Sequence, residues 1–189
     1  MKLQPRFIIK ASILYCVLSA GFSIFGLFLP GRTFPVNPLF SLNPEEVIGH
    51  VVWGLVVGAA SLSLRYCLLG GLLAILLDSD HFVGLLHLET VSRMSHSIFF
   101  GILSVIVIMM IFGKRNYLLG AITITALLAH LSFDIFVDKY REFPIFPPFY
   151  NSMIHFQSTN WVLLEIVAVI IAGSATIIQR KQDSKPQIS

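Results

Sequence analysis

Charge is what this sequence has least of. Only 12% of its 189 residues are Asp, Glu, Lys or Arg, while 56% are hydrophobic and the mean hydropathy is +0.81. Soluble domains carry about 25% charged residues, so an ordinary water-soluble fold is excluded. Cysteine is almost missing. The two present, Cys16 and Cys67, are too few for a disulfide framework, and both fall within or at the start of apolar runs, where a free thiol behaves as a small apolar residue. There is no internal repeat and no low-complexity tract, and a signature for RNA or DNA is lacking too. The pI near 9.0 and the net charge of +3 come from basic residues scattered through short loops, so no nucleic-acid partner is expected.

What the chain does have is apolar runs of about 18 residues, close to the roughly 20 that a helix needs to cross about 30 Å of hydrocarbon. The expectation is an all-α, polytopic integral membrane bundle of about six transmembrane helices. They are expected at residues 11–29, 45–64, from 66 onward, 95–112, 117–137 and 161–178, in one domain (1–180) with a polar, disordered tail at 181–189. The first run follows Lys2, Arg6 and Lys10 and looks superficially like a signal peptide. Its length and weak cleavage signal favour an uncleaved anchor helix. Asn43-Pro44-Glu45-Glu46 carries helix-start chemistry, with a cap, a proline in the first position and acids in the first turn.

Orientation is read from Lys and Arg, which cytoplasmic loops carry in excess. With both termini inside, Lys2, Arg6, Lys10, Arg65, Lys114, Arg115, Arg180, Lys181 and Lys185 fall on the inner side, and Arg32, Arg93, Lys139 and Arg141 on the outer side. The expected location is the cell membrane.

Against this background the ionisable residues stand out, since a charged side chain at the bilayer centre costs about 3 kcal/mol. The stretch LLDSDHFVGLL places Asp78, Asp80 and His81 between apolar flanks. At a rise of 1.5 Å per residue, Asp78 lies roughly 18 Å above the inner boundary, His130 roughly 20 Å, His50 roughly 21 Å and His96 roughly 24 Å. Four helices thus bring ionisable groups to one level in the outer third of the membrane. His130 and Asp134 are four apart and share a helix face, as two ligands of one metal would, and Asp78 and His81, three apart, do the same. Without cations the three carboxylates would be severely desolvated. The expected metal ligands are therefore His50, Asp78, Asp80, His81, His96, His130 and Asp134. His and Asp without thiolate suit Zn, Mn or Fe, and two or three ions, most simply zinc, are expected. Asp80 is the candidate general base, and Arg93 the candidate phosphate grip. His87 and His155 lie off this pattern and are expected to be structural. Glu165 is open between bystander, supporting partner and proton-transfer group, and Ser95 and Ser97 between helix cap and supporting hydroxyl.

The order Gly49-His50, Asp78-x-Asp80-His81, Arg93-x-Ser95-His96-Ser97 and His130-x-x-x-Asp134, followed by a proline-rich loop, resembles the YdjM-type family of membrane-bound metal-dependent hydrolases. The resemblance covers about residues 45–150. That family is distantly similar to zinc-dependent phospholipase C and single-strand nuclease enzymes, which implies phosphoester hydrolysis by a multinuclear zinc site. This chain has Leu77 where the family commonly has proline, which implies a helix continuing past Asp78. Depth alone suggests a lipid or isoprenoid phosphate as substrate, with an extracytoplasmic active site. The rival readings are a metal or proton transporter using the same cluster and a noncatalytic membrane protein with a structural metal. Against a transporter, the inner halves of helices two to five offer only Ser61, Ser63, Thr123 and Thr125.

Overall fold

Proline sets the start of the first two helices, because its fixed φ suits the first turn and its missing N–H is not needed there. The computed structural model describes residues 4–31, 33–35, 43–137, 142–150 and 152–184. Helix α1 spans Pro5–Phe25 and continues as a 3-10 turn over Gly26–Phe28. Helix α2 spans Pro44–Ala59, and its cap Asn43 accepts a hydrogen bond from the Glu45 amide at 3.1 Å. Then come α3 (Leu64–Leu76), α4 (Ile98–Phe112), α5 (Tyr117–Val137) and α6 (Asn160–Asp183). Among the described residues four stretches, rather than the six expected, are long and apolar enough to cross a membrane: Pro5–Phe28, Leu64–Leu86, Tyr117–Val137 and Asn160–Asp183. Helices α2 and α4, at 16 and 15 residues, are shorter than that.

Several boundaries differ from expectation. Helix α1 starts at Pro5 rather than residue 11, because Arg6 and Lys10 are good helix formers even though they interrupt the apolar run. Helix α6 runs through Asp183, so residues 181–183 are helical where a disordered tail was expected, and Arg180 and Lys181 sit in its last turn, where cations favour a helix. The α-helix does not continue past Asp78. It gives way after Leu76 to a ten-residue 3-10 segment, Leu77–Leu86. Residues 94–96 likewise form a 3-10 turn ahead of α4, with Ser97 as the cap accepting from the Phe100 amide at 3.1 Å. Four two-residue strands, absent from the all-helical expectation, tie the loops at this end: β1 (Phe34–Pro35) pairs antiparallel with β2 (Thr90–Val91), and β3 (Glu142–Phe143) with β4 (Ile154–His155). Lys2, Arg32, Pro38, Lys139, Arg141, Lys185 and the rest of the tail lie outside the described residues.

Helix α5 is the centre of the bundle. Sixteen of its 21 residues are buried, and α2, α3, α4 and α6 pack around it. An all-round apolar helix belongs in such a place. Helices α2 and α3 meet along glycines: a Cβ on Gly54 would lie 2.4 Å from the Gly70 carbonyl oxygen, and one on Gly58 2.8 Å from Cys67 Cα. The Gly54-x-x-x-Gly58 spacing is the small-residue pattern that lets helix backbones approach in membranes. Outward faces stay apolar. Ile9, Ile13 and Val17 on α1, and Ile102, Ile106 and Met110 on α4, recur every four residues and are exposed, as fits a bundle bathed in lipid.

A 3-10 segment leaves backbone groups in need of partners, and at membrane depth only protein supplies them. Helix α1 does so here. Ser19 Oγ donates to the Leu77 carbonyl at 2.5 Å, and Ser79 Oγ donates to the Cys16 carbonyl at 2.8 Å. The buried face of α1, which includes Ser12, Ser19 and Ser23, is thus a polar seam against the segment that carries Asp78, Asp80 and His81.

Candidate metal centre

In a 3-10 helix, side chains three apart eclipse. Asp78 and His81 therefore share a face, as their spacing suggested, though through different geometry. Asp78 is the hub. Its carboxylate oxygens lie 3.4 Å from His50 Nε2, 3.5 Å from His81 Nε2, 3.6 Å from His96 Nε2 and 3.5 Å from His130 Nε2. Asp134, one turn beyond His130 on α5, lies 3.4 Å from His130 Nε2 and 3.5 Å from His50 Nε2. All seven expected ligands come together. They fall into three overlapping groups able to hold an ion: His50, His130 and Asp134; Asp78, His96 and His130; and Asp78, Asp80 and His81.

His130 Nδ1 is 2.8 Å from the Ala74 carbonyl, which only accepts, so Nδ1 carries a proton and Nε2 faces the cluster. Ser23 and Ser95 each donate a hydroxyl to Asp80 Oδ2 at 3.0 Å. Ser95 Oγ also lies 3.0 Å from His96 Nδ1, which ties that ring to Asp80 and turns its Nε2 into the cluster. The two Nε2 atoms are 3.2 Å apart. Two ring nitrogens so close share either a proton or a cation. Two ligands on a tetrahedral zinc with bonds of 2.0–2.1 Å sit roughly 3.3 Å apart, which is the spacing seen throughout the cluster.

The surroundings fix these rings. His50 stacks on His130 with centroids 3.9 Å apart and planes 5° from parallel. Phe133 meets His50 edge-on at 4.7 Å, and Gly49 makes room for it: a Cβ there would lie 1.9 Å from the Phe133 ring. Phe143, from the pair β3–β4, stacks beside His96 at 6.1 Å. Burial grades from floor to mouth. The side chains of Asp80, His96 and His130 are fully enclosed, whereas that of Asp78 is 15% exposed and that of His81 10%.

Arg93 stands at the mouth. Its Nη2 is 3.3 Å from His81 Nε2, and its guanidinium lies over Phe34 at 5.6 Å. Its backbone takes a left-handed φ of 52°, uncommon for a residue with a side chain. The turn is held by serines: Ser92 Oγ donates to the Ser23 carbonyl at 2.7 Å and accepts from the Met94 amide at 3.3 Å.

The remaining expectations sort cleanly. Ser97 is the cap and Ser95 the supporting hydroxyl. His87 closes the 3-10 segment and is exposed, and His155 faces Glu142 at 4.0 Å between the short strands. Glu165 lies beside Ser132 rather than in the cluster. Helix α1, outside the 45–150 core, contributes Ser23 to the site, which the motifs did not reveal. The signal was there in the Ser12, Ser19 and Ser23 stripe, since small polar residues in a membrane helix mark its protein-facing side. Phe133 and Phe143 were also missed, because nothing local distinguishes them from other apolar residues. Compared with known proteins, the chain matches no family model, no curated protein and no solved structure, and its resemblance to membrane-bound metal-dependent hydrolases rests on the four motifs that build this centre.

Proposed function

We propose that this chain is a membrane-embedded, metal-dependent phosphoester hydrolase whose His/Asp cup opens on the extracytoplasmic side of the cell membrane. The observation that carries the reading is the convergence of the Nε2 atoms of His50, His81, His96 and His130 on the partly exposed carboxylate of Asp78. A closed structural site needs about four ligands, whereas a catalytic one keeps an open position.

Two ions fit the donor set. An imidazole nitrogen serves one ion, so the two groups that share His130 cannot both be filled, whereas the Asp78 carboxylate, common to two groups, can be shared between ions. Asp78 and His96 would be among the residues that hold them. Such ions, when bound, lower the pKa of water toward neutrality and polarise phosphoryl oxygens. The chain's own residues do the rest. Asp80 is fully buried and tied to two hydroxyls, so in place of the general base expected there it serves to fix His96 through Ser95. Asp134, nearer the mouth, takes the proton-accepting role. Arg93 presents its planar fork to the substrate phosphate. Exposed Phe82, Phe146, Phe149 and Tyr150 around this end suit a substrate with an apolar tail, such as a phospholipid or isoprenoid phosphate.

Six membrane crossings with both termini inside make the arrangement self-consistent, since the basic residues then concentrate opposite the cup. A transporter would need a polar path beneath the cluster. The threonines there bond back to their own helix, Thr123 to the Leu119 carbonyl at 2.9 Å and Thr125 to the Ile122 carbonyl at 3.3 Å. Ser61 and Ser63 bond to each other in the α2–α3 turn. The deciding experiment is to purify the chain in detergent, quantify bound metal, and assay phospholipids and polyprenyl phosphates. Phosphate or phosphoester release that chelation abolishes and zinc restores is expected. Metal uptake into proteoliposomes with no hydrolysis of any substrate would transfer the cluster to the transporter reading.

A further inference from the structure

At the opposite end of the bundle, Arg65, Arg115 and Arg180, from three different parts of the chain, line one cavity of about 650 Å³. That volume lies in the roughly 300–1,000 Å³ range of ligand sites. Among the described residues Asp183 is the only acidic one lining it, so those walls carry three positive formal charges against one negative. Loop arginines at a membrane boundary ordinarily mark topology and wave in solvent. Arg65 does not. Its guanidinium lies over the rings of Tyr66 and Phe7 at 4.5 and 5.1 Å, and donates to Tyr66 Oη at 2.9 Å and to Gln4 Oε1 at 3.0 Å. Its Nε is buried without a partner among the described residues. Tyr66 is held in turn by Asn116 at 2.7 Å. A fixed, incompletely paired guanidinium with two further arginines facing the same space is an arrangement that calls for an anion.

We propose that this cavity is a second binding site, independent of the metal centre, which takes a phosphate group. The planar forks of arginine match phosphate oxygens, and basic pockets between membrane helices on the cytoplasmic side bind anionic head groups. The source is either an anionic phospholipid or free phosphate. Arg65 is thirteen residues before Asp78, and Asn116 fourteen before His130, so α3 and α5 connect the two sites over roughly 20 Å.

The test uses the full chain in detergent and follows thermal unfolding while phosphatidate, phosphatidylcholine or inorganic phosphate is added. Phosphatidate is expected to stabilise and phosphatidylcholine not to. Stabilisation by inorganic phosphate as well would identify the phosphate group itself as the ligand, and stabilisation by phosphatidate alone a lipid head group. Arg115 and Arg180 are exposed, so the double variant Arg115→Gln, Arg180→Gln should fold and retain its metal, while phosphatidate affinity falls at least tenfold. Lys114→Gln with Lys181→Gln removes the same charge nearby without touching the cavity, and should leave affinity within about twofold. Equal weakening by the two pairs would show diffuse surface charge and overturn the site, as would the absence of any anion effect on the unmodified chain.

Discussion

Replacing Asp78 with asparagine keeps the shape of the hub and removes its charge. Four Nε2 atoms lie 3.4–3.6 Å from this carboxylate, so any ion they hold is within about 4 Å of it. At that distance a unit charge seen through an effective dielectric of about 20 contributes about 4 kcal/mol. Since about 1.4 kcal/mol corresponds to a factor of ten, metal affinity should fall about a thousandfold, and by more for a divalent ion. Asp80→Asn is the internal comparison. Asp80 acts on His96 through Ser95, and losses of supporting partners cost about 10–100-fold in affinity. The assay is metal stoichiometry after dialysis, with dissociation constants from competition against a chelating fluorophore. Two ions per chain are expected before substitution, near-complete loss in Asp78→Asn, and retention with weakened affinity in Asp80→Asn. Equal effects of the two substitutions would refute the assignment of Asp78 as hub, and an unmodified chain that binds no metal would refute the centre altogether.

Other consequences can be checked alongside. Gly49→Ala drives a methyl into the Phe133 ring that buttresses His50, and overpacking of this kind costs about 1–3 kcal/mol. A lowered melting temperature with weakened metal binding is expected, and unchanged values for both would contradict the packing. Ser95→Ala strips His96 Nδ1 and Asp80 of a shared partner and should weaken metal binding about 10–100-fold. Ser97→Ala removes only a helix cap, worth about 0.5–2 kcal/mol of stability, and leaves metal affinity alone. Arg93→Lys should raise KM at least about tenfold at constant metal content, because an ammonium cannot make the bidentate contact; a fall in kcat at unchanged KM would instead place Arg93 away from substrate binding.

The His/Asp cluster was legible because spacing reports local geometry: His130 and Asp134 share a face in any α-helix, and apolar length places the longer helices. What spacing cannot report is which distant segment stands opposite. Ser23 reaches Asp80 and Ser95 from 57 and 72 residues away, and no periodicity announces such a partner. Leu77 pointed to a continuing helix, yet the chain turns to 3-10 geometry there, because the hydroxyl of Ser19 offers the Leu77 carbonyl an acceptor's partner from outside the helix. The cap at Asn43 follows from residue chemistry and is seen as read. The strands β1 to β4 are too short to produce an alternating pattern. The arginine cavity escaped notice since each arginine, taken singly, already had an explanation as a topology signal.

The serine seam of α1 bears on how the protein is made. Helix α1 leaves the ribosome well before the residues that its serines contact, so those contacts form only after α2 and α3 have been made. Only when residues 92–96 arrive does Ser23 find Ser95, and only then are Asp80 and His96 locked together. The first helix thus carries contacts that only a later segment of the chain can complete.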